Sequence, residues 1–203
     1  VIVHTISVGD MLNFTYIIED EDTGQSILLD PSWDLDKLEE IIRRKSLQIK
    51  YIVNTHHHFD HTLGNEAMSK STKARIIQHT ASNLHHDVTV DDNSRIEFGN
   101  SGLTVLYTPG HSQDSICLAS ADKIFTGDTL FVGSCGRVDL PGGSARSLYH
   151  SIFDVLYKLD DNLVVFPGHN YGPTPTSTIG LEKRTNPVMQ KMTEAEFLQM
   201  LGQ

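Results

Sequence analysis

Cysteine is scarce. Cys117 and Cys135 are the only two among 203 residues. Two thiols build no disulfide framework, and neither lies in a Cys-x-x-Cys zinc pair. Unpaired thiols point to a reducing, cytoplasmic setting. Basic residues are also few: 16 Lys and Arg stand against 26 Asp and Glu, for a net charge of -10. A nucleic-acid partner needs a basic surface to neutralise phosphate, and a polybasic membrane binder needs one too, so neither partner is expected. The acidity reads as a solubility feature. No apolar run approaches the roughly 20 residues that span a bilayer. Val1 to Asp10 has neither a basic start nor a small-residue cleavage site, so no secretory leader is expected there. Neither a nucleophilic-serine motif nor a glycine-rich phosphate loop is present. Linkers, low-complexity tracts and solenoid repeats are missing as well.

What remains is an ordinary globular composition, 38% hydrophobic and 21% charged. The length suits one domain over 1–203, closed by a short C-terminal helical tail. Three short β-branched or aromatic runs open the chain, Ile2 to Ile6, Phe14 to Ile18 and Ser26 to Asp30. Turn signals at Gly9-Asp10 and Asp22-Thr23-Gly24 make them an antiparallel meander. Leu35, Leu38, Ile41 and Ile42 fall at helical spacing, with Asp34 as the expected N-cap. Lys50 to Val53 is a strand, followed by a helix over Gly64 to Ser71 and a strand at Arg75 to Gln78. Ser82 to Asp87 reads as a short helix or loop. Two hairpins follow, Arg95–Phe98 with Leu103–Tyr107, and Ile116–Ala119 with Lys123–Phe125. One amphipathic helix is expected over Ala145 to Leu159, with Leu148, Ile152, Val155, Leu156 and Leu159 on its apolar face. Leu163 to Phe166 is the last core strand. A helix near Thr178 to Lys183 and another opened by the capping box Thr193 to Glu196 form the tail.

The chemistry concentrates at strand ends. Tyr51 to Val53 runs into Asn54-Thr55-His56-His57-His58-Phe59-Asp60-His61. Leu103 to Tyr107 runs into Gly110-His111, Lys123 to Phe125 into Gly127-Asp128, and Leu163 to Phe166 into Gly168-His169. Side chains at the ends of strands on one sheet edge can converge on a rigid scaffold. Neutral imidazole and carboxylate suit Zn(II), Fe(II) or Mn(II). The set divides into His56, His58 and His111 at one site and Asp60, His61 and His169 at a second. Asp128 bridges them, because a carboxylate has two oxygens. Two cations are therefore expected, zinc first with iron or manganese as alternatives. Asp60 and Asp128 are counted as catalytic as well as liganding. Two ions held this close can polarise a carbonyl together and lower the pKa of a bound water. His4, His57, His79, His85, His86 and His150 read as structural or solvent-facing, and Cys135 as a packed small residue. Trp33 is assigned no role.

His-x-His-x-Asp-His with a later Gly-His, Gly-Asp and Gly-His resembles the metallo-β-lactamase superfamily over nearly the whole chain. The resemblance implies an α+β fold, a four-layer αββα sandwich with the metal site at one edge of its sheets. Two branches are similar. Phe125 to Val132, Cys135-Gly136 and Gly168-His169-Asn170-Tyr171 resemble glyoxalase II, which hydrolyses hydroxyacylglutathione thioesters. That branch implies a small thiol-derived substrate contacted by Tyr171, and the planar fork of Arg137 suits an anion clamp for a substrate carboxylate. It departs where a lysine usually follows Cys-Gly and a tyrosine stands two further on; here are Arg137 and Asp139. Its large C-terminal helical domain does not fit after Asn186. Asn13 to Tyr16, Cys135 to Asp139, Leu148 to Ser151 and Ser177 to Gly180 before Asn186-Pro187 resemble the persulfide dioxygenases. That branch implies one Fe(II) on His56, His111 and Asp128. A lactonase of the same fold and a metal-bound, non-catalytic protein are further readings. The oligomeric state is open, a homodimer included.

Overall fold

The computed structural model describes residues 1–203. Its first half forms a six-stranded sheet in the order β1 to β6: β1 (Ile2–Val8), β2 (Asn13–Glu19), β3 (Gln25–Leu29), β4 (Gln48–Val53), β5 (Arg75–His79) and β6 (Val88–Val90). The meander β1-β2-β3 is antiparallel, as expected, and β3 to β6 pair in parallel. The parallel steps need crossovers. Helix α1 (Leu35–Lys45) supplies one; a short α2 (Phe59–Thr62) with α3 (Asn65–Thr72) supplies the next.

The second sheet runs β7 (Arg95–Phe98), β8 (Ser101–Tyr107), β9 (Ile116–Ala119), β10 (Lys123–Gly127), β11 (Val164–Pro167) and β12 (Ser177–Thr178). Strands β7 to β10 are antiparallel neighbours, and β11 lies parallel to β10. Its outer face carries α4 (Ala145–His150) and the tail helices α5 (Ile179–Thr185) and α6 (Glu194–Met200).

Strand alternation explains the layering. Successive side chains point to opposite faces. Tyr16, Ile18, Ile27, Leu29 and Val53 therefore meet Phe98, Val105, Leu118, Phe125 and Phe166 between the sheets. Ile17, Leu28 and Ile52 face outward onto Leu38 and Met68 of the helices. On the far side Ile124 and Val165 pack on Leu148, Ile152, Leu156 and Phe197. Strands buried on both faces read as nearly continuous apolar runs. The result is the expected four-layer αββα sandwich.

Some local readings change and others hold. Asp34 is the N-cap residue of α1, as expected, and its carbonyl accepts from Leu38 N–H; its side chain makes no cap bond, and in the left-handed region at φ 54 it accepts from the Gly9 backbone N–H instead. The helix over Ala145 to Leu159 is not uniform. It is α to His150, a π turn over Ser151–Val155, then 3-10 to Lys158. Leu148, Ile152 and Leu156 recur every four residues, wider than the α-helical repeat of about 3.6. The π turn widens the coil so that all three stay buried. Ser82 to Asp87 is a loop, and the three-residue β6 after it was too short to show in the sequence pattern. The capping box at Thr193 and Glu196 is present as read.

Candidate metal centre

Every candidate ligand lies just beyond a strand's C-terminal end, and these ends share one edge of the sandwich. His56 and His58 follow β4, with Asp60 and His61 on α2. His111 follows β8, Asp128 follows β10 and His169 follows β11. Backbone bonds stitch the two sheets together here. Ile116 N–H donates to Thr55 O at 2.9 Å, and Phe14 N–H to Gly168 O at 2.9 Å. Two glycines are sterically required. Gly110 has φ 148, and a Cβ there would lie 2.5 Å from the Leu148 nitrogen. At Gly168 a Cβ would lie 2.4 Å from Asp128 Oδ1.

The seven residues converge into overlapping clusters: His56, His58 and His111; Asp60, His61 and His169; and His56, His61 and Asp128. His58 Nδ1 lies 3.0 Å from His56 Nε2 and 2.8 Å from His111 Nε2. His61 Nε2 and His169 Nε2 are 3.2 Å apart, and His169 Nε2 is 3.4 Å from Asp60 Oδ2. Asp128 reaches both groups, with Oδ2 3.5 Å from His111 and 3.3 Å from His169, and Oδ1 3.4 Å from His61.

The donors fit divalent cations. Nitrogen ligands about 2.0–2.1 Å from one zinc ion stand roughly 3.3 Å apart in a tetrahedron, near the spacings seen here. Asp128 Oδ1 is buried without a hydrogen-bond partner, an orphan that a cation would satisfy. Four of the imidazoles are also oriented from behind. His61 Nδ1 lies 2.9 Å from Asp30 Oδ2, His111 Nδ1 2.7 Å from Arg137 O, and His169 Nδ1 2.9 Å from Met11 O. His56 Nδ1 lies 3.1 Å from Thr55 Oγ1, whose own hydrogen goes to Asp30. An acceptor behind Nδ1 holds the proton there and leaves Nε2 free to ligate. Asn13 Nδ2 donates to Asp60 Oδ2 at 3.0 Å. Below the ligand turn, Asn54, Asn65, Gln78 and Ser82 form a closed buried network that carries the His61 carbonyl.

Electrostatics divide the site. Burial and the neighbouring His61 push His56 well below its ordinary pKa, and burial with His111 and His57 takes His58 to about 4. Both are neutral ligands at pH 7. Burial alone would raise the Asp60 and Asp128 carboxyls; the imidazoles of His61 and His169 outweigh it and hold both well below the carboxylate range. Burial likewise opposes protonation of His61 and His169, but the facing carboxylates prevail, and His169 rises to about 9.

The clusters floor an open cavity of about 730 Å³. Tyr171 and Arg137 both line it. Tyr171 stacks on the His169 ring at 4.6 Å. Arg137 is exposed, and its guanidinium is bidentate to Asp139 at 2.6 and 2.7 Å. His57 turns from the ligands, with Nδ1 2.7 Å from buried Asp114. His85 and His150 are exposed, His86 is half-buried and His79 stacks on Tyr107, all away from the ligand clusters. The sequence reading missed Asp30, Asn13 and Asp114. Asp30 did carry a signal, an acid closing an apolar strand before a proline. The carbonyls of Met11 and Arg137 carried none.

The metallo-beta-lactamase superfamily model matches residues 8–169 of this chain. The chain belongs to the metallo-beta-lactamase superfamily. Within the superfamily it is 30% identical to the human mitochondrial persulfide dioxygenase ETHE1, over 93% of this chain and 76% of that protein. It is 37% identical to the hydroxyacylglutathione hydrolase of Polaromonas sp., over 78% of this chain but only 62% of that enzyme. The crystal structure of ETHE1 from Myxococcus xanthus superposes with a TM-score of 0.94 at 33% identity, covering 100% of this chain and 90% of that one. The superfamily comprises metal-dependent hydrolases and oxygenases, and the His and Asp clusters of this member fit a divalent metal site.

Proposed function

We propose that this superfamily member is a dinuclear metallohydrolase of thioesters. The observation that carries the reading is Asp128: one buried carboxylate faces two complete ligand groups at once. His56, His58 and His111 would hold one divalent cation and Asp60, His61 and His169 the other. Bound there, the pair would supply a hydroxide at neutral pH and polarise an acyl carbonyl. The chain's own residues do the rest. Asp60 and Asp128 stay ionised and compensate the cationic charge. Asp30, Thr55 and the carbonyls of Met11 and Arg137 hold four imidazoles in the ligating tautomer. Tyr171, fixed by its stack on His169, lies where the thiol carrier would pass. Metal analysis of active protein is expected to give two ions per chain. Thioester turnover is expected to release free thiol without consuming dioxygen. Full activity with a single ion per chain would refute the dinuclear reading.

A second reading is a mononuclear Fe(II) persulfide dioxygenase on His56, His111 and Asp128. The whole-chain likeness to the ETHE1 structure favours it. Oxygen uptake and sulfite formation from a glutathione persulfide, by protein purified with one iron, would establish it in place of the first.

A further inference from the structure

The cavity above the metal ligands points to the carrier. We infer that the substrate is an apolar acyl thioester on a thiol without carboxylates, and that a tripeptide thiol bearing two carboxylates, such as glutathione, is discriminated against. This rests on the thioester reading above and adds the substrate class. The cavity volume, about 730 Å³, suits a small organic ligand. Polar groups lie mainly on its floor. Its walls are Met11, Phe59, Phe131, Leu140, Pro141 and Tyr171. Three of these are large apolar side chains left open to water, Met11 at 41%, Phe59 at 61% and Tyr171 at 51%. Exposed apolar groups gathered at one mouth mark a binding surface. They are also held in place. Phe59 stands edge-on to Trp33 at 6.1 Å, and Tyr171 lies edge-on to Phe131 at 5.3 Å as well as stacked on His169. A preformed aromatic wall binds without first losing side-chain entropy.

Charge disfavours the alternative. Glutathione carries two carboxylates away from its sulfur. Beyond the imidazoles, Arg137 is the only basic side chain lining the cavity. Its planar fork is already taken by both oxygens of Asp139. A substrate carboxylate must displace that partner and then face Asp139 as a like charge.

The test compares acetyl, butanoyl and hexanoyl thioesters of N-acetylcysteamine with S-lactoylglutathione on metal-loaded protein, following thiol release. Each added methylene is expected to raise kcat/KM about fourfold until the walls are covered. The hexanoyl ester should exceed lactoylglutathione by at least roughly tenfold, and Phe59→Ala should flatten the series. Asp139→Asn, which frees Arg137, should instead raise kcat/KM for lactoylglutathione. Binding is read separately through Trp33, the single tryptophan. The S-hexyl thioether of N-acetylcysteamine should perturb its emission, and S-methylglutathione at equal concentration should not. A flat acyl series, a preference for lactoylglutathione, or an equal Trp33 response to both thioethers overturns the inference. If no thioester is hydrolysed yet only the hexyl thioether binds, the apolar selectivity stands and the thioester reading falls.

Discussion

Asp30→Asn isolates how this fold aims a metal ligand. Asp30 accepts Thr55 N–H on Oδ1 at 2.7 Å, and its Oδ2 faces Thr55 Oγ1 at 2.6 Å and His61 Nδ1 at 2.9 Å. Its backbone is left-handed at φ 51, a conformation asparagine tolerates, so the substitution adds no main-chain strain. The amide oxygen must stay on the Thr55 N–H, since that donor is buried. The amide NH2 then replaces Oδ2 and donates towards His61 Nδ1. His61 must shift its proton to Nε2, the nitrogen facing Asp60, Asp128 and His169, and a protonated nitrogen does not ligate. Losing such a supporting partner lowers metal affinity about 10–100-fold, equivalent to about 1.4–2.7 kcal/mol. The effect should be largest on the Asp60-His61-His169 site and reach the other cluster only through His56, because the Thr55 hydroxyl behind its Nδ1 loses the same acceptor. Competition with a chromophoric chelator, followed by metal analysis, should find one ion weakened strongly and the other less. A urea titration of the metal-free variant should show the fold intact. Two ions held at wild-type affinity would refute the tautomer argument.

Three other outcomes follow from the same structure. Asp20 bonds Ser101 and Thr23, tying β2 to the β7-β8 hairpin, and these bonds lower its carboxyl to about 2. The unfolded value is about 3.9, so its stabilisation is present above roughly pH 4 and lost as the pH falls through about 2. Asp20→Asn should therefore lower the urea midpoint at pH 7 and bring it level with wild type near pH 2; a gap independent of pH contradicts this. Tyr16 is buried between the sheets, donates to Pro167 O at 2.6 Å and lies edge-on to Phe125 and Phe166. Tyr16→Phe leaves that carbonyl short of its donor and should lower stability by about 1–3 kcal/mol in denaturant titrations; no measurable change would sink it. Burial pushes Cys117 up to about 11 and Cys135 to about 12, so both thiols should resist alkylation by iodoacetamide at pH 8 until the chain unfolds. Stoichiometric labelling of Cys135 in native protein would count against that.

Local patterns carried much of the architecture. The antiparallel meander, the two hairpins and the Thr193 capping box rest on contacts a few residues apart, and they were legible. The misread positions involve longer reach. Asp34 takes the N-cap position, but Gly9, 25 residues away, claims the carboxylate that would otherwise cap the helix. The break in the Ala145 to Leu159 helix comes where Leu148 packs on Gly110 and Ser151 bonds the Pro109 carbonyl. Nothing inside the helical sequence encodes those partners.

The site divides in the same way. The ligands were readable because the chemistry admits few side chains, and because each follows an apolar strand through a turn that often needs glycine. Residue type and spacing were enough to name His56, His58, Asp60, His61, His111, Asp128 and His169. Their supports were not readable, since a backbone carbonyl such as that of Met11 or Arg137 has no sequence signature. The same holds for the Arg137 fork, free or engaged only according to where Asp139 points. Sequence alone thus determined which atoms could bind a cation. Only the folded chain decided which imidazole nitrogen faces inward and which charge is left for a substrate, because both depend on contacts between distant segments.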